Sequence, residues 1–270
     1  MSKIEFFEIN IAQLNRTRKV WVYLPQNYSA TGAPQPVIYM HDGQNLFYDE
    51  LTAYGAAWHV NDTLDKIFAE NGRSAIVVGV ESLDSHRLSE YSPWIINPLA
   101  FKEKRTIAKK PNNGGEGDLY AQFFANDLKH YIDSHYNTDS RREATAVIGS
   151  SMGGLISCYL GLKYQQIYET MGLFSTYTPF NQSAFNRFVA KTPQTLSQHA
   201  LIYCGGKEGL DTTSDAAMLK SSRKLYSTLA KRGISCQLVF DSEMKHYETA
   251  WNKHFYQFAY DFLARVYTAK

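Results

Sequence analysis

Short runs of β-branched and aromatic residues alternate along the chain with longer stretches whose apolar positions recur at helical spacing. The short runs predict strands at 20–24, 37–41, 75–80, 144–148, 170–174, 201–204 and 236–240. Several, such as VIYM and AIVVGV, are continuously apolar, as strands covered on both faces are. The longer stretches predict helices over 58–69, 152–163, 215–232 and 249–267. One more helix reads DLYAQFFANDLKHYIDSHY. Asp118 is placed to cap it, and Tyr120, Phe123, Phe124, Leu128, Tyr131 and Ile132 form one apolar stripe. This alternation predicts an α/β fold, a mostly parallel central sheet with helices on both faces, built as one domain over residues 1–270. Two stretches, 81–117 and 175–197, lack clear periodicity and are expected to be long loop insertions that rim one end of the sheet.

Composition narrows the field. With 44% hydrophobic residues the chain can bury a large core, which excludes disordered and low-complexity classes. Lys and Arg number 28 against 26 Asp and Glu, so a net charge of +2 argues for neither a nucleic-acid nor a membrane partner. The basic run Lys102, Lys104, Arg105, Lys109 and Lys110 reads as a solvated face. Three cysteines, Cys158, Cys204 and Cys236, have no paired spacing, so neither a disulfide framework nor a zinc site is predicted. The N-terminus has no signal-peptide pattern, and no apolar run approaches the ~18 residues of a membrane span. A soluble, cytoplasmic protein is the expectation.

The segment ATAVIGSSMGGLISC carries the chemistry. A buried strand runs into Gly149-Ser150-Ser151-Met152-Gly153 and then into an apolar helix, so Ser151 stands at the centre of G-x-S-x-G. A nucleophilic serine must sit on a sharp strand-to-helix turn, flanked by residues without side chains, with helix N–H groups nearby to stabilise negative charge. The bland alternative is a glycine-rich turn that packs tightly and catalyses nothing. A serine also needs a base and an acid to orient it, here expected in the order Ser, acid, His. Among His199, His246 and His254, only His246 falls on a loop between the last strand and the last helix. The acid should follow the preceding strand, where ALIYCGGKEGLD offers Glu208 and Asp211. Glu208 is nearer the strand end and is preferred, with Asp211 exposed or capping the next helix. Oxyanion donors are expected from the backbone N–H of Met152 and of Gln44, the latter in VIYMHDGQNLF, where Gly43 lets the chain turn. His41 and Asp42 resemble a metal pair only superficially. Arg87, Glu90, Tyr91 and Pro93 either line the site or brace the loop, and Trp94 is a candidate for stacking on substrate.

The set RKVWVYLPQNY, VIYMHDGQNLF, AIVVGVE, ATAVIGSSMGG, IYCGGKEG and KHYETAW resembles the "putative esterase" (esterase D-like) family of α/β-hydrolases, over about residues 18–262. Members sharing the pattern include siderophore-ester hydrolases, feruloyl and acetyl-xylan esterases, S-formylglutathione hydrolase and mycolyl transferases. The resemblance implies an α/β-hydrolase fold, with Ser151 as nucleophile, His246 as base, Glu208 as acid, and Gln44 and Met152 as oxyanion donors. Where the family often has a glycine pair before the histidine, this chain has Lys245. The expected function is a serine esterase that hydrolyses small-molecule or carbohydrate-linked carboxylic esters through an acyl-enzyme, with no cofactor and no metal. The alternatives are an acyltransferase using the same groups and a catalytically inactive binding relative.

Overall fold

The continuously apolar runs form the middle of a mostly parallel sheet. A computed structural model describes residues 1–52, 55–98, 112–209 and 211–268; the basic run from Lys102 to Lys110 lies outside them. Among the described residues one sheet holds β1 (Lys3–Ile11), β2 (Arg16–Leu24), β3 (Val37–His41), β4 (Ile76–Val80), β5 (Thr145–Ser150), β6 (Thr170–Phe174), β7 (His199–Lys207) and β8 (Ser235–Lys245). Their order is β1-β2-β4-β3-β5-β6-β7-β8. β2 runs antiparallel to both β1 and β4, and all other pairs are parallel. Near its end the β7–β8 ladder slips: Gly205 pairs with Asp241 but Lys207 pairs with Lys245.

The helices are α1 (Val60–Asn71), α2 (Arg87–Glu90), α3 (Gly117–Gln122), α4 (Lys129–His135), α5 (Met152–Lys163), α6 (Gln182–Lys191), α7 (Thr212–Lys231) and α8 (Glu248–Thr268). Alternate residues of each central strand feed two cores. Val37, Tyr39 and Val147 pack with Leu155 and Ile156 of α5 and Leu225 of α7. Ile38, Met40 and Ile148 pack with Leu64 of α1 and Phe255 and Phe262 of α8. β3, β4, β5 and β6 are buried at every position, which explains why their sequences show no alternation. Among the described residues no helix is long and apolar enough to cross a membrane.

Three expectations change. Residues 3–11, given no element from sequence, form edge strand β1, where Phe7, Ile9 and Ile11 point inward between outward Glu8 and Asn10. Residues 175–197 are not a bare loop. Asn181 caps α6 by accepting the N–H of Ala184 at 3.2 Å, and Phe185 and Val189 are buried. Asp118 is not a cap, because the helix starts at Gly117 and Glu116 holds the cap position. Its carboxylate instead accepts the Tyr159 hydroxyl at 2.7 Å and the Lys163 ammonium. Between α3 and α4 the segment Phe123–Leu128 is a π-helix. The predicted stripe is nonetheless buried at Tyr120, Phe123, Phe124, Leu128 and Ile132.

Candidate active site

β5 ends at Ser150, and the chain turns sharply at Ser151, where φ is 57° and ψ is −120°. A non-glycine residue in this region is strained and is held there only by its surroundings. The Ser151 N–H donates to the Phe174 carbonyl at 2.9 Å, and its own carbonyl accepts from Leu155 at 3.2 Å and Tyr177 at 3.0 Å. Close packing requires glycine beside it: a Cβ on Gly149 would lie 2.7 Å from the Gly153 carbonyl carbon. Helix α5 then leaves the turn with every residue from Met152 to Leu162 buried.

β7 and β8 bring an acid and a base together beside this turn. Glu208 Oε2 lies 2.5 Å from His246 Nδ1. Its other oxygen accepts the Ser175 hydroxyl at 2.6 Å and the Gly205 N–H at 2.5 Å. Burial alone would raise the Glu208 pKa, but these hydrogen bonds, His246 foremost, outweigh it and hold the carboxyl below its ordinary value. An ionised acceptor at Nδ1 requires that nitrogen to carry the ring proton, which leaves Nε2 as the basic nitrogen. The ring stands edge-on to Trp251, with centroids 5.2 Å apart. Asp211 is elsewhere engaged: it caps α7, accepting the Ser214 N–H at 2.8 Å. His254 approaches Asp241 at 3.2 Å from within α8, and His199 lies at the opposite end of the sheet, at the start of β7.

The loop after β3 faces the same space. The turn expected of Gly43 is made by Asp42, whose φ is 56°. Gly43 is needed for a different reason, since a Cβ there would lie 2.5 Å from the Gly79 carbonyl of β4. Among the described residues, the N–H groups of Gln44 and Met152 make no hydrogen bond. The Gln44 side chain is pinned to Ser82, donating to its hydroxyl at 2.9 Å and accepting its N–H at 3.0 Å. Asp42 does not partner His41 as a metal pair would. It takes a two-pronged contact from Arg87 at 2.7 and 2.8 Å and the Ser82 hydroxyl at 2.6 Å. His41 is buried, with Nδ1 3.2 Å from the Tyr120 hydroxyl, and burial pushes its pKa down to about 3. No cluster of three His, Cys, Asp or Glu side chains suits a metal ion among the described residues.

A cavity of about 660 Å³ collects these groups: Ser151, His246, Gln44 and Arg87 all line it, with Ser82, Leu83 and Asp84 from the start of the 81–117 stretch. Glu90 does not reach it, lying fully buried against Arg16 and Arg18. Trp94 is also absent from its wall and packs instead on Tyr159, Phe185 and Phe188. Sequence reasoning missed Ser175 and Trp251. Ser175, at φ 46°, donates to Glu208 and accepts the Trp251 indole N–H at 2.9 Å. The available signal was a polar residue immediately after the apolar run that ends β6. Glu248, also unforeseen as a site residue, lines the cavity; burial raises its pKa, and Asn45 approaches its Oε1 at 3.4 Å.

Comparison with known proteins bears on the family and the fold. The sequence profile of the family described as "Putative esterase" matches residues 11–260. The uncharacterized protein YbbA of Bacillus subtilis (strain 168) is 27% identical over 221 residues, which is 81% of this chain and 80% of that protein. An IroE-like serine hydrolase from Shewanella oneidensis is similar in structure, with a TM-score of 0.78 at 15% identity, over 97% of this chain and 80% of the other. A ferulic acid esterase gives a TM-score of 0.72 at 16% identity, over 98% of this chain and 99% of its own. The two structures share the fold with this protein. The profile match over residues 11–260 goes further: the chain belongs to the "Putative esterase" family and is a carboxylic-ester hydrolase of α/β-hydrolase fold.

Proposed function

We propose that this esterase works through a Ser151–His246–Glu208 triad and an acyl-enzyme, on small-molecule esters, with the whole chain acting as one catalytic domain. The observation that carries the reading is the Glu208–His246 hydrogen bond of 2.5 Å, made by a histidine that lines the same cavity as the strained Ser151. His246 Nε2 takes the proton as Ser151 Oγ bonds to the ester carbonyl carbon. The N–H groups of Gln44 and Met152, the latter at the positive end of α5, receive the developing oxyanion. The ester C–O bond breaks, and the alkoxide leaves with the proton from His246. Water then attacks the acyl-enzyme, His246 takes its proton, and Ser151 is released with the proton returned. Glu208 holds the imidazole in the required tautomer and stabilises its cation. No step calls for a metal or cofactor.

The test is intact mass after treatment with a fluorophosphonate, alongside turnover of a panel of p-nitrophenyl esters. The wild type gains one adduct and Ser151→Ala gains none, while its turnover falls by roughly 10⁴-fold or more with folding intact. An adduct or near-normal turnover in Ser151→Ala would sink the triad.

A further inference from the structure

His246 stands between two cavities. The first, described above, also holds Ser151 and Gln44. The second, of about 600 Å³, is lined by His246 and Glu208 but by neither Ser151 nor Gln44. Its apolar wall is Tyr177 and Pro179, from the segment after β6, with Ala217 and Met218 from the first turns of α7. That wall is tied to the nucleophile turn, since the Tyr177 N–H donates to the Ser151 carbonyl at 3.0 Å. Lys207 and Lys245, at the ends of β7 and β8, also line it, as do Gly209, Asp211 and Ser214. Lys207 is paired with Glu243 at 2.9 Å, whereas exposed Lys245 has no ion-pair partner among the described residues. The two acids of this lining have other partners: Glu208 meets His246, and Asp211 caps α7.

We propose that this second cavity seats the leaving alcohol, and that it selects an alcohol with an apolar body and an anionic far end. The inference rests on the triad mechanism above. In that mechanism the acyl carbon bonds to Ser151 while its oxygen turns to Gln44 and Met152, so the acyl half occupies the first cavity. The leaving oxygen must meet His246 to receive its proton, so the alcohol half extends past the imidazole. There the apolar body covers Tyr177, Pro179, Ala217 and Met218, and the anion meets Lys245.

The experiment compares kcat/KM for acetate esters of four alcohols: methanol, benzyl alcohol, 4-(hydroxymethyl)benzoate and 4-(aminomethyl)benzyl alcohol. In the wild type the benzyl ester exceeds the methyl ester by about tenfold. The carboxylate exceeds the amine by about fivefold, a preference that shrinks in high salt. Ala217→Trp collapses the benzyl-to-methyl ratio, and Lys245→Glu, at an exposed position, inverts the carboxylate-to-amine ratio. Equal losses on all four esters would overturn the assignment. So would an effect of these variants on methyl esters of varied acids with none on the alcohol series. Fluorophosphonate labelling of each protein separates the two failures. Labelled wild type with unshifted alcohol ranking removes the alcohol seat alone, whereas an unlabelled wild type removes the triad and the seat with it.

Discussion

Two buried carboxylates flank Ser151, and they differ in what they hold. Asp42, at the end of β3, grips Arg87 with both oxygens, at 2.7 and 2.8 Å. Glu208, beyond β7, holds His246 at 2.5 Å. A guanidinium keeps its proton under all ordinary conditions, so the first pair cannot relay one; it fixes the loop that carries Gln44. An imidazole can both accept and donate a proton, so the second pair can take part in chemistry. The same functional group, a buried carboxylate, serves rigidity on one side and, in the proposed mechanism, supports proton transfer on the other because the partner cation differs.

Breaking the two pairs separately should expose that difference. Glu208→Gln keeps the shape but loses the charge that sets the imidazole tautomer, and kcat on p-nitrophenyl acetate should fall by about 10³–10⁴-fold, with a Tm loss smaller than that of Arg87→Met. Arg87→Met leaves Asp42 buried and unpaired, at a cost of roughly 3–5 kcal/mol. Its Tm should fall by about 10 °C, read by calorimetry, with a rate loss far smaller than that of Glu208→Gln. If Arg87→Met instead lost activity at wild-type Tm, the scaffold half of the comparison would be wrong.

Acid sharpens the contrast further. His41, beside Asp42, has a folded pKa of about 3 against an ordinary 6.5, because burial and then the nearby Arg87 disfavour its cation. The unfolded chain therefore binds that proton first, and stability falls as pH drops from 6.5 toward 3, by at most about 1.4 kcal/mol per unit. Glu208 has a depressed pKa, so its contribution is complete above the ordinary carboxylate value of 4.5 and is lost only below it. Urea unfolding between pH 7 and 4.5 should thus show a shallower pH slope for His41→Asn than for the wild type. Equal slopes would assign the acid sensitivity elsewhere. The smallest effect belongs to Asp211→Ala, which should cost about 1 kcal/mol through the lost α7 cap. Its rate loss should be trivial beside that of Glu208→Gln.

The central parallel strands and α5 were legible because burial on both faces leaves an unbroken apolar run in the sequence. β1 was harder to find: edge exposure puts Glu8 and Asn10 between its inward residues. Helix α6 hides behind the loop-like composition around it, although Phe185, Phe188 and Val189 share one helical face. At the site, the residues whose role is local were readable: the Ser151 turn sits between two glycines, and Asp211 falls three residues before the Ser214 N–H it caps. What resisted reading depends on distant segments meeting. Ser175 reaches Glu208 across 33 positions, and Trp251 reaches Ser175 across 76. Trp94 looked like a stacking platform because an aromatic in a loop cannot reveal that three other rings will enclose it.

The slip between β7 and β8 bears on how such a site can change over time. Two steps along β7, Gly205 to Lys207, are matched by four along β8, Asp241 to Lys245. The histidine follows the longer path directly, at position 246. At about 3.3 Å per strand residue, removing the two extra residues would draw the imidazole some 6–7 Å back along the edge, out of reach of its acid. Residues 242–244 store a length besides their contacts, Met244 with the second core and Glu243 with Lys207, so a two-residue deletion there costs far more than a substitution. Drift in this stretch is constrained first in the number of its residues and only then in their identity.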